Sequence, residues 1–197
     1  GGVWQSTNPS VAMVTNGGLV TGLTTGTAQF IFIESISGCT SDPTTAVAVL
    51  TKPNIHFTGP NTICVGSTTS LSPAAGGTWQ SSNTSVATIN NAGVVTGLSQ
   101  GMVNFTFTLN AGCVSDPSDY LTVNGKPSIS VTGPLAVCQG ATTQLQPSTG
   151  GTWVSSKPSV ATINNNGVVS GLTAGTVKFV FTETSSGCVS DSSAAIT

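Results

Sequence analysis

Five cysteines, a single histidine and three aspartates at matched positions are the residues through which this chain could do chemistry, and their spacing decides which kind. Cys39, Cys64, Cys113, Cys138 and Cys188 form no C-x-x-C pair and no Cys/His cluster. Metal ligation therefore has no ligand set, and the chemistry left is disulfide formation in an oxidising, extracellular or cell-surface setting. His56 lies between Ile55 and Phe57 and is expected to face solvent. Gly97-Leu98-Ser99-Gln100-Gly101 has the G-x-S-x-G form of a nucleophile elbow, which needs a strand-turn-helix and a histidine within reach. Gly22-Leu23-Thr24-Thr25-Gly26 and Gly171-Leu172-Thr173-Ala174-Gly175 stand at equivalent places without the serine, so the motif reads as a turn. Asp42, Asp116 and Asp191 each follow a cysteine by three residues. Their expected role is to accept backbone hydrogen bonds in a turn, because a calcium site needs about six to eight oxygen ligands and no dense carboxylate cluster exists. No catalytic residue, metal or cofactor is assigned, and the chain is not expected to be an enzyme.

These positions are matched because the chain repeats. Gly76-Gly77-Thr78-Trp79 returns as Gly150-Gly151-Thr152-Trp153 and, with one change, as Gly1-Gly2-Val3-Trp4. Trp4, Trp79 and Trp153 are 75 and 74 residues apart, and Cys39, Cys113 and Cys188 are 74 and 75 apart. Of the 26 positions from Gly76 to Gly101, 19 match Gly150 to Gly175. The expected organisation is a partial repeat at 1–52 that lacks its first two strands, then complete repeats at 53–126 and 127–197. Thr51-Lys52-Pro53 and Gly125-Lys126-Pro127 are too short to act as flexible linkers, so neighbouring repeats must touch. One tryptophan per repeat, at a strand position, is expected to serve core or joint packing, with sugar stacking as the alternative.

Composition narrows the partners. Only 5% of the residues are charged, against about 25% in an ordinary soluble protein, and the net charge is −2 with four Lys and no Arg. There is no basic face for nucleic acid. No stretch approaches the roughly 20 apolar residues of a membrane span, and the first residues lack the regions of a signal peptide. Met13 is the first methionine and lies inside an expected strand, so the chain is expected to begin part-way through a longer protein. Asn83-Thr84-Ser85 and Asn104-Phe105-Thr106 fit the N-glycosylation pattern, a match of low specificity.

Within the second repeat, period-2 alternation predicts strands at 55–58, 62–65, 68–72, 78–81, 86–89, 94–96, 103–109 and 119–123, counting the piece at 62–65 as an extension of the first. Residues 103–109 are the clearest, with Val103, Phe105 and Phe107 on one face. Asn90-Asn91-Ala92-Gly93 predicts a tight turn. No segment has a helical apolar period. Seven short strands with turns every 8 to 12 residues predict an all-β chain of immunoglobulin-like antiparallel sandwiches in a head-to-tail row.

The run Trp79-Gln80-Ser81-Ser82-Asn83, then Ser85-Val86-Ala87-Thr88-Ile89, then Gly93-Val94-Val95-Thr96-Gly97-Leu98 and Gly101, resembles the bacterial Ig-like domain, group 2. The cysteines in Ile63-Cys64-Val65-Gly66 and Gly112-Cys113-Val114-Ser115-Asp116 resemble the variant found in long surface and secreted proteins of Bacteroidota. The resemblance covers nearly the whole chain. It implies a tandem stalk or adhesin module and brings no active site.

Strand parity bears on the disulfides. Cys64 precedes the second strand of its repeat and Cys113 follows the sixth, so five antiparallel passes separate them and leave them at opposite poles. A strand is roughly 25 Å long, whereas bonded cysteines need Cα atoms about 4.4 to 6.8 Å apart. The favoured pair is therefore Cys64 with Cys188, across repeats; the alternative pairs Cys64 with Cys113 and Cys138 with Cys188 within repeats. The expected function is a non-enzymatic structural segment of a long extracellular repeat protein, a rigid stalk, spacer or filament shaft. Its expected partners are neighbouring repeats and, by self-assembly, further copies in filaments or bundles. A glycan- or protein-binding adhesin module is the alternative. The partial repeat is expected to expose a strand edge and half a core, to be covered by other chain.

Overall fold

The computed structural model describes residues 1–197. The first repeat holds β1 (Gly2–Ser6), β2 (Ala12–Val14), β3 (Val20–Gly22), β4 (Gly26–Ala28), β5 (Phe30–Glu34) and β6 (Val47–Val49). The second holds β7 (His56–Phe57), β8 (Thr62–Cys64), β9 (Thr68–Ser72), β10 (Gly77–Ser81), β11 (Ala87–Ile89), β12 (Val94–Gly97), β13 (Gly101–Val103), β14 (Phe105–Leu109) and β15 (Leu121–Asn124). The third holds β16 (Ser130–Val131), β17 (Thr142–Gln146), β18 (Gly151–Ser155), β19 (Ala161–Ile163), β20 (Val168–Gly171) and β21 (Phe179–Glu183). None of these elements is a helix, so none can cross a membrane as one.

The second repeat pairs β11-β12-β9-β7 in a four-stranded sheet, β13-β15-β8 in a three-stranded one and β10-β14 in a two-stranded one. That is the pairing of an immunoglobulin-like sandwich, with β8 running parallel to the last strand. The third repeat repeats it, with β16-β17-β20-β19 facing β18-β21. In the first repeat only the ladders β2-β3, β1-β5 and β4-β6 form.

Two sequence expectations are corrected. The strand expected over 103–109 is broken at Asn104 into β13, which pairs with β15, and β14, which pairs with β10. The break exists because Asn104 is tied sideways: its N–H donates to Ser82 Oγ at 3.1 Å and its carbonyl accepts from Ser82 N–H at 3.0 Å. Ser156 holds Lys178 in the same way, and Thr7 holds Gln29. The last strand of the repeat begins at Leu121, two residues later than expected, because Ser118 is turned inward by its hydrogen bonds.

By density of contacts the chain divides into two compact units. One comprises Gly1–Asn54, Gly76–Thr78 and Phe107–Asp116; the other comprises Ile55–Ala75, Trp79–Thr106 and Pro117–Thr197. In the second unit, Leu145, Val169, Phe179, Phe181 and Ile196 form the core of the third repeat, with Trp153 against Phe181 at a ring separation of 5.1 Å. In the first unit the core is smaller: Val11, Ala12, Ala28 and Phe30, with Trp4, Val14 and Val49 only partly buried against it.

Gly93 and Gly167 take φ of +76° and +78° in the turns before β12 and β20, where a side chain would also run into the carbonyls of Leu71 and Leu145. The turn chemistry expected for Asn90-Asn91-Ala92-Gly93 is in place, with Asn90 Oδ1 accepting from the N–H groups of Ala92 and Val94 at 3.0 Å.

The phenylalanine strand poses a harder problem. One edge of β21 pairs with β18; on the other, the carbonyls of Phe179 and Phe181 accept from the backbone N–H groups of Ser193 and Ser190, while the N–H groups of the two phenylalanines find side chains. Phe179 N–H donates to Ser193 Oγ at 3.0 Å and Phe181 N–H to Ser190 Oγ at 2.9 Å. Ser118 and Ser115 do the same for Phe105 and Phe107, and Thr44 and Ser41 for Phe30 and Phe32. A buried backbone N–H without an acceptor costs about 1–3 kcal/mol. Ser190→Ala is therefore expected to lower unfolding stability by about that amount in a urea titration, and a loss near zero would mean that the serine ladder is incidental.

Candidate functional site at the repeat junctions

The chemistry-bearing residues converge where one repeat hands over to the next. On the second repeat's side, β8 pairs in parallel with β15, Ile63 opposite Val123 and Cys64 opposite Asn124. Ile63 is buried, so the alternation of a strand turns Cys64 away from the core. Because β15 is the last strand of its repeat, this pairing sets Cys64 beside the chain's exit into Gly125-Lys126-Pro127.

On the third repeat's side, Cys188 sits in the turn after β21. Glu183 N–H donates to the Cys188 carbonyl at 2.9 Å, Gly187 N–H to the Glu183 carbonyl at 2.8 Å, and Cys188 N–H to Ser186 Oγ at 3.2 Å. Gly187 supplies the left-handed residue, at φ +69°. Cys188 and Cys64 are joined by a disulfide with Cα atoms 5.6 Å apart, inside the usual range. The bond spans 124 residues of sequence, and Cys188 is fully buried.

Three residues further on, Asp191 Oδ1 meets Lys126 Nζ at 2.5 Å. The contact recurs in the other unit, where Lys52 Nζ meets Asp116 Oδ1 at 2.5 Å. In both, the lysine of the connecting segment reaches the aspartate of the repeat that follows. The carboxylates are largely exposed, so each pair adds little stability and serves mainly to orient. These aspartates were expected to accept backbone hydrogen bonds in a turn; Asp116 and Asp191 instead face the lysines of the connecting segments. Sequence reading missed Lys52 and Lys126. Their signal was present, since Lys52-Pro53 and Lys126-Pro127 recur at the repeat spacing of 74 residues.

The remaining residues lie apart from this seam. Cys39 and Cys138 are exposed free thiols, and Cys113 is a half-buried one. His56 is exposed on β7. Ser99 Oγ donates to the Ser85 carbonyl at 2.7 Å, as Thr24 does to Ser10 and Thr173 to Ser159, so the G-x-S-x-G segment is a latched turn. Asp42 is exposed, and no three His, Cys, Asp or Glu side chains converge. Trp79 and Trp153 are buried, each with its indole N–H on a proline carbonyl, Pro73 or Pro147, at 3.0 Å. Trp4 is half-buried against Phe32, with ring centroids 5.3 Å apart.

A model of the family "Bacterial Ig-like domain (group 2)" matches residues 2–46 and 63–116, about half of the chain. Ice-binding protein 1 of Shewanella frigidimarina (strain NCIMB 400) is 29% identical over 201 residues. The match takes in 88% of this chain but only 22% of that protein's length. Among solved structures, the C-terminal 282-residue fragment of intimin, in complex with the intimin-binding domain of its translocated receptor, aligns with 75% of this chain and 64% of its own. Its TM-score is 0.45 at 14% identity. Invasin, a bacterial integrin-binding protein, aligns with 100% of this chain and 51% of its own, with a TM-score of 0.45 at 17% identity.

The covalent and ionic contacts at the seam should differ sharply in weight. Cys64→Ser, which opens the disulfide, is expected to cost about 2–4 kcal/mol because a long loop is released in the unfolded chain. Asp191→Asn is expected to cost less than about 1 kcal/mol. Urea midpoints of the two variants, measured without reductant, decide this, and equal losses would contradict it.

Proposed function

The chain belongs to the bacterial Ig-like domain (group 2) family, and from that premise we propose that it is a non-enzymatic structural segment of an extracellular repeat protein, acting as a rigid stalk, spacer or filament shaft. The observation that carries this reading is the disulfide between Cys64 of the second repeat and Cys188 of the third. A connection such as Gly125-Lys126-Pro127 is by itself a single tether, about which two sandwiches can bend and twist. A second covalent tie, offset from the first, removes those rotations. The Lys126–Asp191 pair adds a third, weaker point. The disulfide fits an oxidising compartment, in keeping with an extracellular or cell-surface location.

The surface suits a shaft. With 5% charged residues and a net charge of −2, it presents mainly Ser, Thr and Asn, so lateral contact between shafts meets little repulsion and changes little with salt. Bundling through further copies follows from this composition. A second reading, an adhesin module whose repeats themselves bind a surface, a glycan or a protein, draws on the relative named for ice binding. Specific retention of residues 1–197 on a glycan array or on ice would favour that second reading.

Two measurements test the shaft reading. Non-reducing digestion and mass spectrometry of natively purified protein are expected to yield a peptide pairing Cys64 with Cys188; a pairing of Cys64 with Cys113 would instead favour a flexible stalk. When single molecules are pulled from their ends, the oxidised chain is expected to extend roughly 400 Å less than the reduced one, because 124 residues lie behind the bond.

A further inference from the structure

The second and third repeats share a core but not an outer face. From Gly76 to Gly101 the second matches Gly150 to Gly175 of the third at 19 of 26 positions, yet the outer side of the ladder β18-β21 departs from its counterpart. There Val154 pairs with Val180 and Thr152 with Thr182, and the returning chain adds Val189, bridged to Thr182. Trp153, Phe179 and Phe181 are buried, so strand alternation turns Val154, Val180 and Thr182 to the opposite side. Val154 is 55% exposed and Val189 47%, with Val180 half-buried. In the second repeat Gln80 and Thr106 stand where Val154 and Val180 do.

Charge stands at the two ends of the same ladder. Lys178 directly precedes β21, and Lys157 follows Ser156. Ser156 N–H donates to the Lys178 carbonyl at 2.9 Å and Lys178 N–H to Ser156 Oγ at 3.0 Å, so the two exposed lysines share one end. Lys52 and Lys126 are engaged by Asp116 and Asp191, which leaves Lys157 and Lys178 as the two lysines that no carboxylate meets. At the far end of β21 stands Glu183, its Oε2 accepting from Ser186 Oγ at 2.5 Å. Five residues separate it from Lys178, roughly 16 Å along a strand. The second repeat has Asn83, Asn104 and Leu109 at these three places, none of them charged.

We propose that this face is the lateral contact between two copies of the chain, packed face to face with their β21 strands antiparallel. The proposal rests on the shaft reading above and names the surface through which shafts associate. A two-fold arrangement of this kind sets the valines of one copy against the same valines of the other and brings each Lys178 over the second copy's Glu183. Charge selects the antiparallel order, because parallel strands would oppose lysine to lysine and glutamate to glutamate. Asp191, two residues beyond Val189, is already matched by Lys126 and adds no repulsion. A contact this small is weak singly and gains strength when several act along two shafts. Because the second repeat lacks the valines and the charges, the contact is local to the third and fixes the stagger between neighbours.

The test uses residues 1–197 with the Cys64–Cys188 bond closed and with Cys39→Ser, Cys113→Ser and Cys138→Ser, so that any association is non-covalent. Sedimentation equilibrium from micromolar to millimolar protein is expected to show a reversible dimer. The double variant Val154→Gln, Val180→Thr gives the third repeat the second repeat's own residues, which an equivalent ladder already accommodates. It is expected to weaken the dimer at least tenfold, the least effect that losing the buried valines implies. Lys178→Glu and Glu183→Lys are each expected to weaken the dimer when alone. An equimolar mixture of those two variants is expected to restore it, since each copy then meets the opposite charge at both ends.

A monomer at millimolar concentration overturns the proposal, and so does a dimer that the valine variant leaves intact. A mixture of folded charge variants that stays monomeric overturns it too; where Glu183→Lys disturbs the turn before Cys188, the valine variant decides. A monomer retained on a carboxylated polysaccharide through Lys157 and Lys178 also overturns it, since the lysines would then serve another partner. The shaft reading fails separately: it rests on extension under force, which the face variants are expected to leave unchanged because the Cys64–Cys188 bond is untouched.

Discussion

Phe105, Phe107, Phe179 and Phe181 are withdrawn from solvent almost completely, and a strand so placed must have its backbone groups matched before aromatic burial yields any net gain. The neighbouring strand of the sheet serves one edge. On the other, the chain turns back too soon to form a regular ladder, and Ser115, Ser118, Ser190 and Ser193 stand in with their hydroxyls. A composition almost without charge makes this solution natural, because a buried hydroxyl needs only one donor and one acceptor, whereas a buried ion needs a partner as well. No buried side-chain nitrogen or oxygen is left without a hydrogen bond.

The same loop carries the junction chemistry. Cys188 lies two residues before Ser190 and Asp191 lies one residue after it, so the bond that satisfies Phe181 also sets the course of the chain that presents the cysteine and the aspartate. On the facing side, the parallel pairing of β8 with β15 holds Cys64 at the exit of its repeat. Core satisfaction and inter-repeat attachment are therefore one device. Repeats of about 74 residues are near the lower limit for a self-sufficient core. Coupling each to its neighbour suits such small units, whose stability in an array is a sum of intrinsic and interface contributions.

The first repeat holds its longest ladder by the same devices as the other two. Its strands β1 and β5 pair over five residues, and its serine and threonine hydroxyls serve Phe30 and Phe32. In the second repeat the segment from Thr62 to Ser72 carries both the buried Leu71 and Cys64, so it closes the core and reaches the next repeat at once.

The all-β class and the turn at Asn90-Asn91-Ala92-Gly93 were legible in the sequence, because alternation of apolar residues and the demands of Gly and Asn in turns are local properties. The family likeness was legible for the same reason. The break at Asn104 was not legible, since it depends on Ser82, a residue distant in sequence whose hydroxyl competes for the backbone. Nor was the role of Lys52 and Lys126, because an ion pair between residues 64 or 65 positions apart has no local signature. The sequence favoured Cys64 with Cys188 while leaving within-repeat pairs open; the tertiary structure chose between them and alone decided which aspartate meets which lysine. Those are distances across packed strands, and only the assembled sheets determine them.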